Sequence, residues 1–232
     1  MPYYYWDPTY ILVLIGALLS VGASALVNRT FNRYSSVYAR SGLTGAQAAQ
    51  KLLHSQGIYD VQIQHISGSL TDHYDPRNKT LSLSDAVYNA TTVAAIGVAA
   101  HECGHAVQHA RNYVPLSVRS AIVPVANFGS QLSWPLFLAG LIFSFRPLLM
   151  IGILLFCAAL LFQIVTLPVE FNASARALRM LDETGIMGRQ EIRGTKKVLR
   201  AAAMTYVAAV IGSLLQLLRL LILSGAFRKR DD

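Results

Sequence analysis

The sequence has few charged side chains and very few carboxylates. Charged residues make up 14% of the chain, against about 25% in ordinary soluble domains. Only 12 of the 232 residues are acidic, and just four are glutamates: Glu102, Glu170, Glu183 and Glu191. This composition argues against a water-soluble globular protein. It also leaves very few positions for chemistry that needs a glutamate.

The sequence is also poor in cysteine, and basic residues are lacking at its start. The two cysteines, Cys103 and Cys157, are too few for a disulfide framework, and Cys157 lies in an apolar run where it acts as a small hydrophobe. The N-terminus has no basic region of the kind that begins a secretory signal peptide. Five aromatic residues, at positions 3–6 and 10, instead predict an interfacial belt and a retained membrane anchor.

Long apolar runs, in contrast, are abundant. Uncharged stretches at residues 8–28, 120–145, 147–169 and 201–218 are each long enough to cross a hydrocarbon core of roughly 30 Å. The last run is the weakest, because Arg219 follows it and a charge inside a bilayer is costly unless it snorkels or faces protein. We therefore predict a mainly α-helical, multi-pass membrane protein with about four transmembrane helices. The short link at Arg146 makes the second and third of these a helical hairpin.

The basic residues indicate an orientation. Residues 28–119 hold eight of the 20 Lys and Arg, and residues 170–200 hold seven. Because cytoplasmic segments are enriched in Lys and Arg, we predict that both segments face the cytoplasm. The three bases at 228–230 conflict with this in a four-helix topology, so either the last run does not fully cross or the tail departs from the rule. No interleaving of basic and stacking aromatic residues suggests a nucleic-acid partner.

These features divide the chain into five parts. Residues 1–28 form an anchor, 29–119 a catalytic segment, 120–169 a transmembrane hairpin, 170–200 a helical segment, and 201–232 a last membrane helix with a basic tail. The catalytic segment is α+β. Its pattern predicts a helix at 44–57, a strand near 61–64, a hairpin of strands 70–74 and 80–83 around a turn at 75–78, and a helix at 92–109.

One motif carries chemistry. On the predicted helix 92–109, His101 and His105 lie on one face, one turn apart, where both imidazoles can bind a single Zn²⁺. Glu102 lies beside them and is suited to take a proton from a zinc-activated water and pass it to a leaving amine. The alternative is an amphipathic helix with incidental histidines. Composition alone produces a His-Glu-x-x-His pattern in roughly 0.003 of such chains, which favours zinc.

A catalytic zinc needs a third protein ligand and an open position. His109 would extend the histidine stripe, but it lies about 12 Å along a straight helix from His101, too far for one tetrahedral site. The scarcity of glutamates favours Glu170, which directly follows the third apolar run and returns to the histidine helix if the hairpin folds back. A carboxylate at a helix N-terminus is the alternative role for Glu170. Glu183 and Glu191 have the character of surface residues.

At this point the sequence resembles a known family. The run His-Glu-x-x-His at 101–105, followed by Glu-Phe-Asn-Ala-Ser at 170–174, is similar to the gluzincin metallopeptidases. The closest likeness is to the YugP-like neutral zinc metallopeptidases of bacterial membranes, and a more distant one is to HtpX-like and CaaX-type membrane proteases. The resemblance covers nearly the whole chain. It implies one Zn²⁺ per chain and a small gluzincin-like unit with a short sheet.

The family pattern often has acidic residues around the third ligand where this chain differs. Asn172 and Ser174 stand where those relatives carry a carboxylate that orients a ligand histidine, and either side chain can still accept that hydrogen bond. Arg176 lies shortly after them. It is a candidate to bind a substrate carbonyl or to pair with a carboxylate, and otherwise a surface base facing lipid headgroups.

The resemblance also implies a substrate-binding strand. In gluzincins an exposed edge strand above the zinc helix pairs with an extended peptide, a form of β-augmentation. By resemblance we assign this role to the strand that contains Leu81, Ser82 and Leu83. A peptidase further needs a donor for the tetrahedral oxyanion. Tyr206 is the first candidate, with His73 and Tyr74 as alternatives.

The leading hypothesis is a membrane-embedded zinc endopeptidase whose site faces the cytoplasmic surface of the cell membrane. His101, His105 and Glu170 bind zinc, Glu102 acts as base and then acid, and the substrate is a peptide or protein segment near the bilayer. A second hypothesis is a non-proteolytic membrane protein with a structural or regulatory zinc site, which has no need of Glu102. A third, lipid or nucleic-acid binding through the +8 charge, is weaker because topology accounts for the bases.

Overall fold

The computed structural model describes residues 7–225. Within these residues the chain forms six helices and three strands: α1 Tyr10–Ser35, α2 Gly45–Ser55, β1 Gln62–Ile66, β2 His73–Asp75, β3 Thr80–Ser84, α3 Val93–Ala110, α4 Val114–Ile142, α5 Arg146–Glu183 and α6 Arg189–Leu223. The predicted aromatic cluster at 3–6 and the basic residues at 228–230 lie outside the described residues. The chain is mostly helical with a small sheet, as predicted.

The described residues divide into two compact units. A mixed unit contains Ser24–Ser117 and Leu167–Met204, and a helical unit contains residues 7–23, 118–166 and 205–225. The mixed unit holds α2, α3 and the sheet. Both segments that the sequence analysis links to zinc therefore belong to the mixed unit.

Helix α2 and helix α3 form where their sequences supply caps. Thr44 and Gln47 make a capping box, in which each side chain satisfies the other's backbone N–H. The hydroxyl of Thr92 accepts a hydrogen bond from the backbone N–H of Ala95 at 3.3 Å, which caps the first turn of α3. These caps place both helices within two residues of their predicted bounds.

The sheet has the order β1-β3-β2. β2 and β3 form the predicted antiparallel hairpin, with Tyr74 opposite Leu81. β1 pairs with β3 in parallel, with Gln64 opposite Ser82. β3 is therefore the central strand, hydrogen-bonded on both sides. The prediction that residues 81–83 form an exposed edge strand is wrong, because no free backbone edge is left there for a peptide.

The core of the mixed unit lies between the sheet, α2 and α3. Its largest fully buried side chains are aliphatic and come from all three: Leu52, Leu53, Leu81, Leu83 and Ile96. Full burial of such a side chain stabilises the fold by about 1.5–3 kcal/mol relative to exposure. This packing fixes α3 against a rigid layer, so the side chains on its opposite face have defined positions.

Three of the described helices are long and apolar enough to cross a membrane: α1, α5 and α6. The sequence analysis predicted four such helices. The run at 120–145 lies within α4, where Pro124 and Pro135 stand among Asn127, Gln131 and other polar residues. These polar residues and prolines interrupt the apolar run of α4, which is not among the helices long and apolar enough to cross a membrane. The weakest predicted run, 201–218, lies inside the long helix α6 and retains the character of a span.

Small residues bring α4 and α5 close together in the helical unit. A Cβ placed on Gly152 would lie 2.8 Å from the backbone nitrogen of Phe137, and one on Gly140 would lie 2.6 Å from that of Leu149. Close backbone approach at glycine is the usual way for apolar helices to pack without a hydrophobic driving force. Residues later in α4 contact residues earlier in α5. The two helices therefore form an antiparallel hairpin.

A buried arginine explains how α6 carries a charge in its apolar part. The Arg219 side chain donates from Nε to Thr9 Oγ1 at 3.2 Å and from Nη2 to Asp7 Oδ2 at 3.4 Å. Its Cζ lies 4.4 Å from the centroid of the Tyr10 ring, within range of a cation–π interaction. We call these four residues the Arg219 cluster. A charge held by a carboxylate, a hydroxyl and a ring face is tolerated in an apolar segment.

Candidate metal centre

Helix α3 presents two imidazoles on one face of the mixed unit. His101 and His105 are separated by one helical turn, and their ring centroids lie 4.8 Å apart with the ring planes at 85°. This arrangement follows from the spacing of four residues on a regular helix. Both rings are directed toward α5.

Helix α5 supplies a carboxylate to the same place. Glu170 Oε2 lies 3.2 Å from His101 Nε2 and 3.6 Å from His105 Nε2. The side chains of His101, His105 and Glu170 are 17%, 10% and 4% exposed, respectively. Three potential ligand atoms, one from each residue, lie within 4.8 Å of one another. The structure thus brings together the three residues that the sequence analysis selected as ligands.

The chemistry and spacing of this cluster fit a zinc ion. Two imidazoles and one carboxylate are a common donor set for catalytic zinc, and they leave the fourth position open. Bonds of about 2.0–2.2 Å around a tetrahedral zinc place neighbouring ligand atoms about 3.3 Å apart. The two distances from Glu170 to the imidazoles lie on either side of this value. Oxygen-rich sites typical of Mg²⁺ or Ca²⁺ have a different composition.

A glycine within the histidine motif allows α5 to reach this position. A Cβ placed on Gly104 would lie 2.4 Å from the carbonyl oxygen of Ala173, a distance that real side chains do not adopt. Gly104 therefore lets the backbones of α3 and α5 touch, one turn after Glu170. The depth at which α5 packs determines how far the Glu170 carboxylate extends toward the two imidazoles.

Glu102 contributes negative charge beside the ligands. It is buried on α3, directly after His101. Burial by itself lowers the pKa of His105, but hydrogen bonding to Glu170 and the negative charges of Glu102 and Glu170 more than offset it, so the pKa is raised. The cluster therefore has an electrostatic preference for a cation. A metal ion that binds here replaces a proton on His105.

Each ligand histidine has a second contact through its Nδ1 atom. Ser174 Oγ lies 3.2 Å from His101 Nδ1, and Gln108 Oε1 lies 3.0 Å from His105 Nδ1. The sequence analysis offered Asn172 and Ser174 for such contacts. Ser174 contacts His101 directly. Asn172 contacts no ligand histidine, and instead its Oδ1 accepts from Gln108 Nε2 at 3.1 Å.

Sequence reasoning missed Gln108. It lies three residues after His105, a spacing that places two side chains next to each other on a helix. Because polar residues are seldom fully buried without a partner, a glutamine at that spacing on an otherwise apolar helix face was the available signal. The sequence analysis did not weigh it.

Other predicted site residues have contacts of their own or belong to the helical unit. Leu81, Ser82 and Leu83 are buried in β3, and the Ser82 hydroxyl accepts from Gln64 Nε2 at 3.0 Å. Tyr206 lies on α6 in the helical unit. The role of Tyr206 as an oxyanion donor stays a prediction.

Arg176 is held within the mixed unit. Its Nε donates to Asn172 Oδ1 at 2.7 Å, and its Cζ lies 5.7 Å from the centroid of the Tyr113 ring. This matches neither a free surface base nor a pair with a carboxylate. A direct role in substrate binding stays a prediction.

The two alternative oxyanion donors also have partners. Tyr74 Oη lies 2.9 Å from His109 Nδ1, and His73 Nδ1 lies 2.9 Å from the Thr71 carbonyl oxygen. Burial raises the pKa of Tyr74 to about 12, and the charges of Asp60 and Asp75 add to this effect. Tyr74 is therefore a neutral phenol at physiological pH, bonded to the histidine one turn beyond His105.

Comparison with known proteins agrees with this chemistry. Residues 9–225 match the family model described as "Putative neutral zinc metallopeptidase". The chain is 47% identical over 211 residues to "Putative membrane protease YugP" of Bacillus subtilis (strain 168), which covers 90% of this chain and 94% of that protein. No solved structure matches. The resemblance to the YugP-like neutral zinc metallopeptidases noted from the sequence is thereby confirmed.

Proposed function

The chain belongs to the "Putative neutral zinc metallopeptidase" family, and from this premise we propose that it is a membrane-embedded zinc endopeptidase of the gluzincin type. The observation that carries the proposal is the convergence of His101, His105 and Glu170 on one point beside Glu102. The relative named as a membrane protease and the three helices able to cross a bilayer support a membrane location.

In this proposal each residue of the cluster has one task. His101, His105 and Glu170 hold one Zn²⁺. When bound, Zn²⁺ lowers the pKa of water from 15.7 toward about 7 and polarises a carbonyl oxygen. Glu102 accepts the proton that the attacking water loses as its oxygen bonds to the peptide carbon. The same carboxyl then donates that proton to the amine nitrogen as the C–N bond breaks.

The buried setting of Glu102 suits this exchange. Its carboxylate lies on a helix packed against a rigid core, so it does not need to be ordered during the reaction. Pre-arranged groups in a water-poor site contribute more to catalysis than the same groups in solvent. A general base of this kind typically contributes 10²–10⁴-fold to the rate.

We further propose that the site works at the cytoplasmic face of the cell membrane on extended peptide or protein segments. Residues 28–119 and 170–200 contain the zinc ligands and together hold most of the basic residues, which favours the cytoplasmic side. Glu170 directly follows the apolar run 147–169 on the same helix. A substrate segment emerging from the bilayer would therefore reach a ligand-bearing turn of α5 first.

The test of the enzymatic proposal is the Glu102→Gln variant of the full-length protein in detergent. Zinc content per chain and cleavage of fluorescein-labelled casein are measured for the variant and the wild type. We expect equal zinc content and a loss of cleavage of about 10²–10⁴-fold. Unchanged cleavage would refute the role of Glu102. Zinc binding without cleavage in the wild type and all variants would favour a structural zinc site.

The orientation is tested separately by cysteine accessibility. Arg40→Cys and Gln190→Cys are introduced singly into a Cys157→Ala background and probed in intact cells with a membrane-impermeant maleimide. Protection at both positions until the cells are permeabilised is the expected result. Labelling of both in intact cells would reverse the proposed orientation.

A further inference from the structure

Gln108 is a fully buried polar side chain that uses both ends of its amide. It is 0% exposed, and burying an amide is unfavourable unless its polar atoms have hydrogen-bond partners. Its Oε1 atom faces His105 Nδ1 at 3.0 Å. Its Nε2 atom donates to the Val169 carbonyl oxygen at 2.7 Å and to Asn172 Oδ1 at 3.1 Å. Gln108 therefore connects a ligand of α3 to the two residues of α5 that flank Glu170.

The direction of each hydrogen bond around Gln108 follows from neighbouring groups that can only donate or can only accept. A guanidinium N–H can only donate, so the atom of Asn172 that faces Arg176 Nε at 2.7 Å is the amide oxygen. A backbone carbonyl can only accept, so the Val169 oxygen requires a donor from Gln108. Both acceptors meet the same end of the Gln108 side chain. That end must be the amide nitrogen.

The orientation of Gln108 then decides the proton position on His105. With its nitrogen committed to α5, Gln108 presents its oxygen to the imidazole, and an oxygen can only accept. His105 must carry a proton on Nδ1, so Nε2, which faces Glu170 at 3.6 Å, is the ring nitrogen that a metal ion would bind. We propose that Gln108 is a positioning residue that holds His105 in this tautomer and ties it to the segment of α5 around Glu170. The proposal rests on the proposed zinc site.

The other ligand histidine lacks such a fixed partner. His101 Nδ1 faces the Ser174 hydroxyl at 3.2 Å, and a hydroxyl can rotate to donate or to accept. Ser174 therefore steadies the ring of His101 without selecting a tautomer. The two ligands offer a built-in comparison, because each has one outer contact from a different kind of group.

The test is a zinc titration of the full-length protein in detergent against a chromophoric chelator. We expect Gln108→Leu to weaken Zn²⁺ binding by about 10–100-fold, the usual effect of removing an outer contact, and Ser174→Ala to weaken it less. Thr195→Val is the matched control. It removes the buried hydrogen bond from Thr195 Oγ1 to Met187 Sδ in the same unit and touches no ligand, so affinity within twofold of wild type is expected. Wild-type affinity in Gln108→Leu would overturn the proposal.

A second measurement separates positioning from simple packing. The imidazole ¹⁵N shifts of the metal-free protein at alkaline pH report which nitrogen of His105 carries the proton. The wild type is expected to show a single Nδ1–H tautomer, and Gln108→Leu a mixture. Asn172→Asp, which keeps an acceptor facing both Gln108 and Arg176, is expected to preserve the tautomer. Asn172→Leu is expected to loosen it, and this variant is informative even if Gln108→Leu does not fold.

The outcomes distinguish the two proposals. A wild type that binds no Zn²⁺ refutes the proposed function. The tautomer of His105 in that protein still tests the role of Gln108. A wild type that binds Zn²⁺ but shows His105 protonated at Nε2 refutes only the role of Gln108.

Discussion

Among the described residues, two clusters of charged side chains surround a buried charged group, and they are built in opposite ways. In the Arg219 cluster of the helical unit, one guanidinium meets one carboxylate, and a hydroxyl and a ring face complete its contacts. In the candidate metal centre of the mixed unit, two imidazoles and the Glu170 carboxylate converge between α3 and α5, and the buried Glu102 directly follows His101. The first cluster balances its own charge, whereas the second concentrates negative charge and lone pairs.

The difference separates a structural pair from a binding site. A buried ion pair is retained when its partners satisfy each other, and it contributes little net stability. Acceptors that converge on a point have an energetic cost that only an added cation offsets. We therefore predict that removing a bound metal ion affects only the candidate metal centre and that removing the charge of Arg219 affects only the Arg219 cluster.

The largest expected effect comes from removing the third ligand. Glu170→Ala leaves two imidazoles, so we expect zinc affinity to fall by more than about 100-fold, beyond the range of an outer contact. Glu183→Ala is the control, because it removes an exposed glutamate from the same helix. Zinc content after dialysis measures both variants. Full zinc content in Glu170→Ala would show that another residue is the third ligand.

The next effect comes from separating the two helices of the metal centre. Gly104→Ala places a Cβ against the Ala173 carbonyl oxygen, and we expect a loss of about 1–3 kcal/mol, as for overpacked cores, with weaker zinc binding. Gly22→Ala in α1 is the control, since its Cβ meets nothing within 4 Å and alanine favours a helix. Thermal melting with and without Zn²⁺ is the measurement. Equal behaviour of the two variants would contradict the close approach.

A smaller effect is expected when the other cluster is broken. Arg219→Leu removes the cation from Asp7 and Thr9, so we expect a lower melting temperature, but by less than for Gly104→Ala because Asp7 is partly exposed. Zinc affinity is expected to stay within twofold of wild type. Adding Asp7→Asn to this variant is expected to restore part of the loss, because it removes the carboxylate that has lost its counter-charge and keeps an acceptor for the Thr9 N–H. A large change in zinc affinity would break the comparison.

The smallest effect concerns the thiol behind the histidines. Burial raises the pKa of Cys103, and the negative charge of Glu102 adds to this effect. At pH 8 the reactive thiolate of Cys103 is therefore less populated than that of a solvent-exposed cysteine. In a Cys157→Ala background we expect little alkylation at pH 8 with Zn²⁺ bound and faster alkylation after chelation. The rate is followed by mass spectrometry. Equal rates in both states would show that the ion does not tighten the mixed unit.

Local spacing predicted the part of the site that one helix carries. His101, Glu102 and His105 lie within five consecutive residues of α3, where residue number fixes direction. Glu170 is 69 residues away from His101, and it was selected by the scarcity of glutamates together with its place directly after the third apolar run. That argument works in a chain with four glutamates and would fail in an ordinary one.

The sequence pattern could not predict which strands pair or which side chains are buried by distant segments of the chain. The alternation in residues 80–83 indicates a strand but does not identify its neighbours, and the parallel pairing with β1 made β3 central. The run at 120–145 has the length of a span, but its amides and prolines reduce its apolarity. Gln108 acquires its role from α5, which approaches it across 61 residues of sequence. The pairing of β3 and the role of Gln108 depend on tertiary contacts, whereas the outcome at 120–145 depends on the composition of that run itself.

The two unspecified letters of the His-Glu-x-x-His pattern have little freedom in this fold. Cys103 is fully buried, with its sulfur 3.6 Å from the Ala49 carbonyl oxygen on α2, and Gly104 lies against α5. In a library that randomises residues 101–105, the middle positions are thus expected to accept only small side chains at 103 and glycine at 104. All five positions of the motif are then restricted, three by the chemistry of the site and two by the space available.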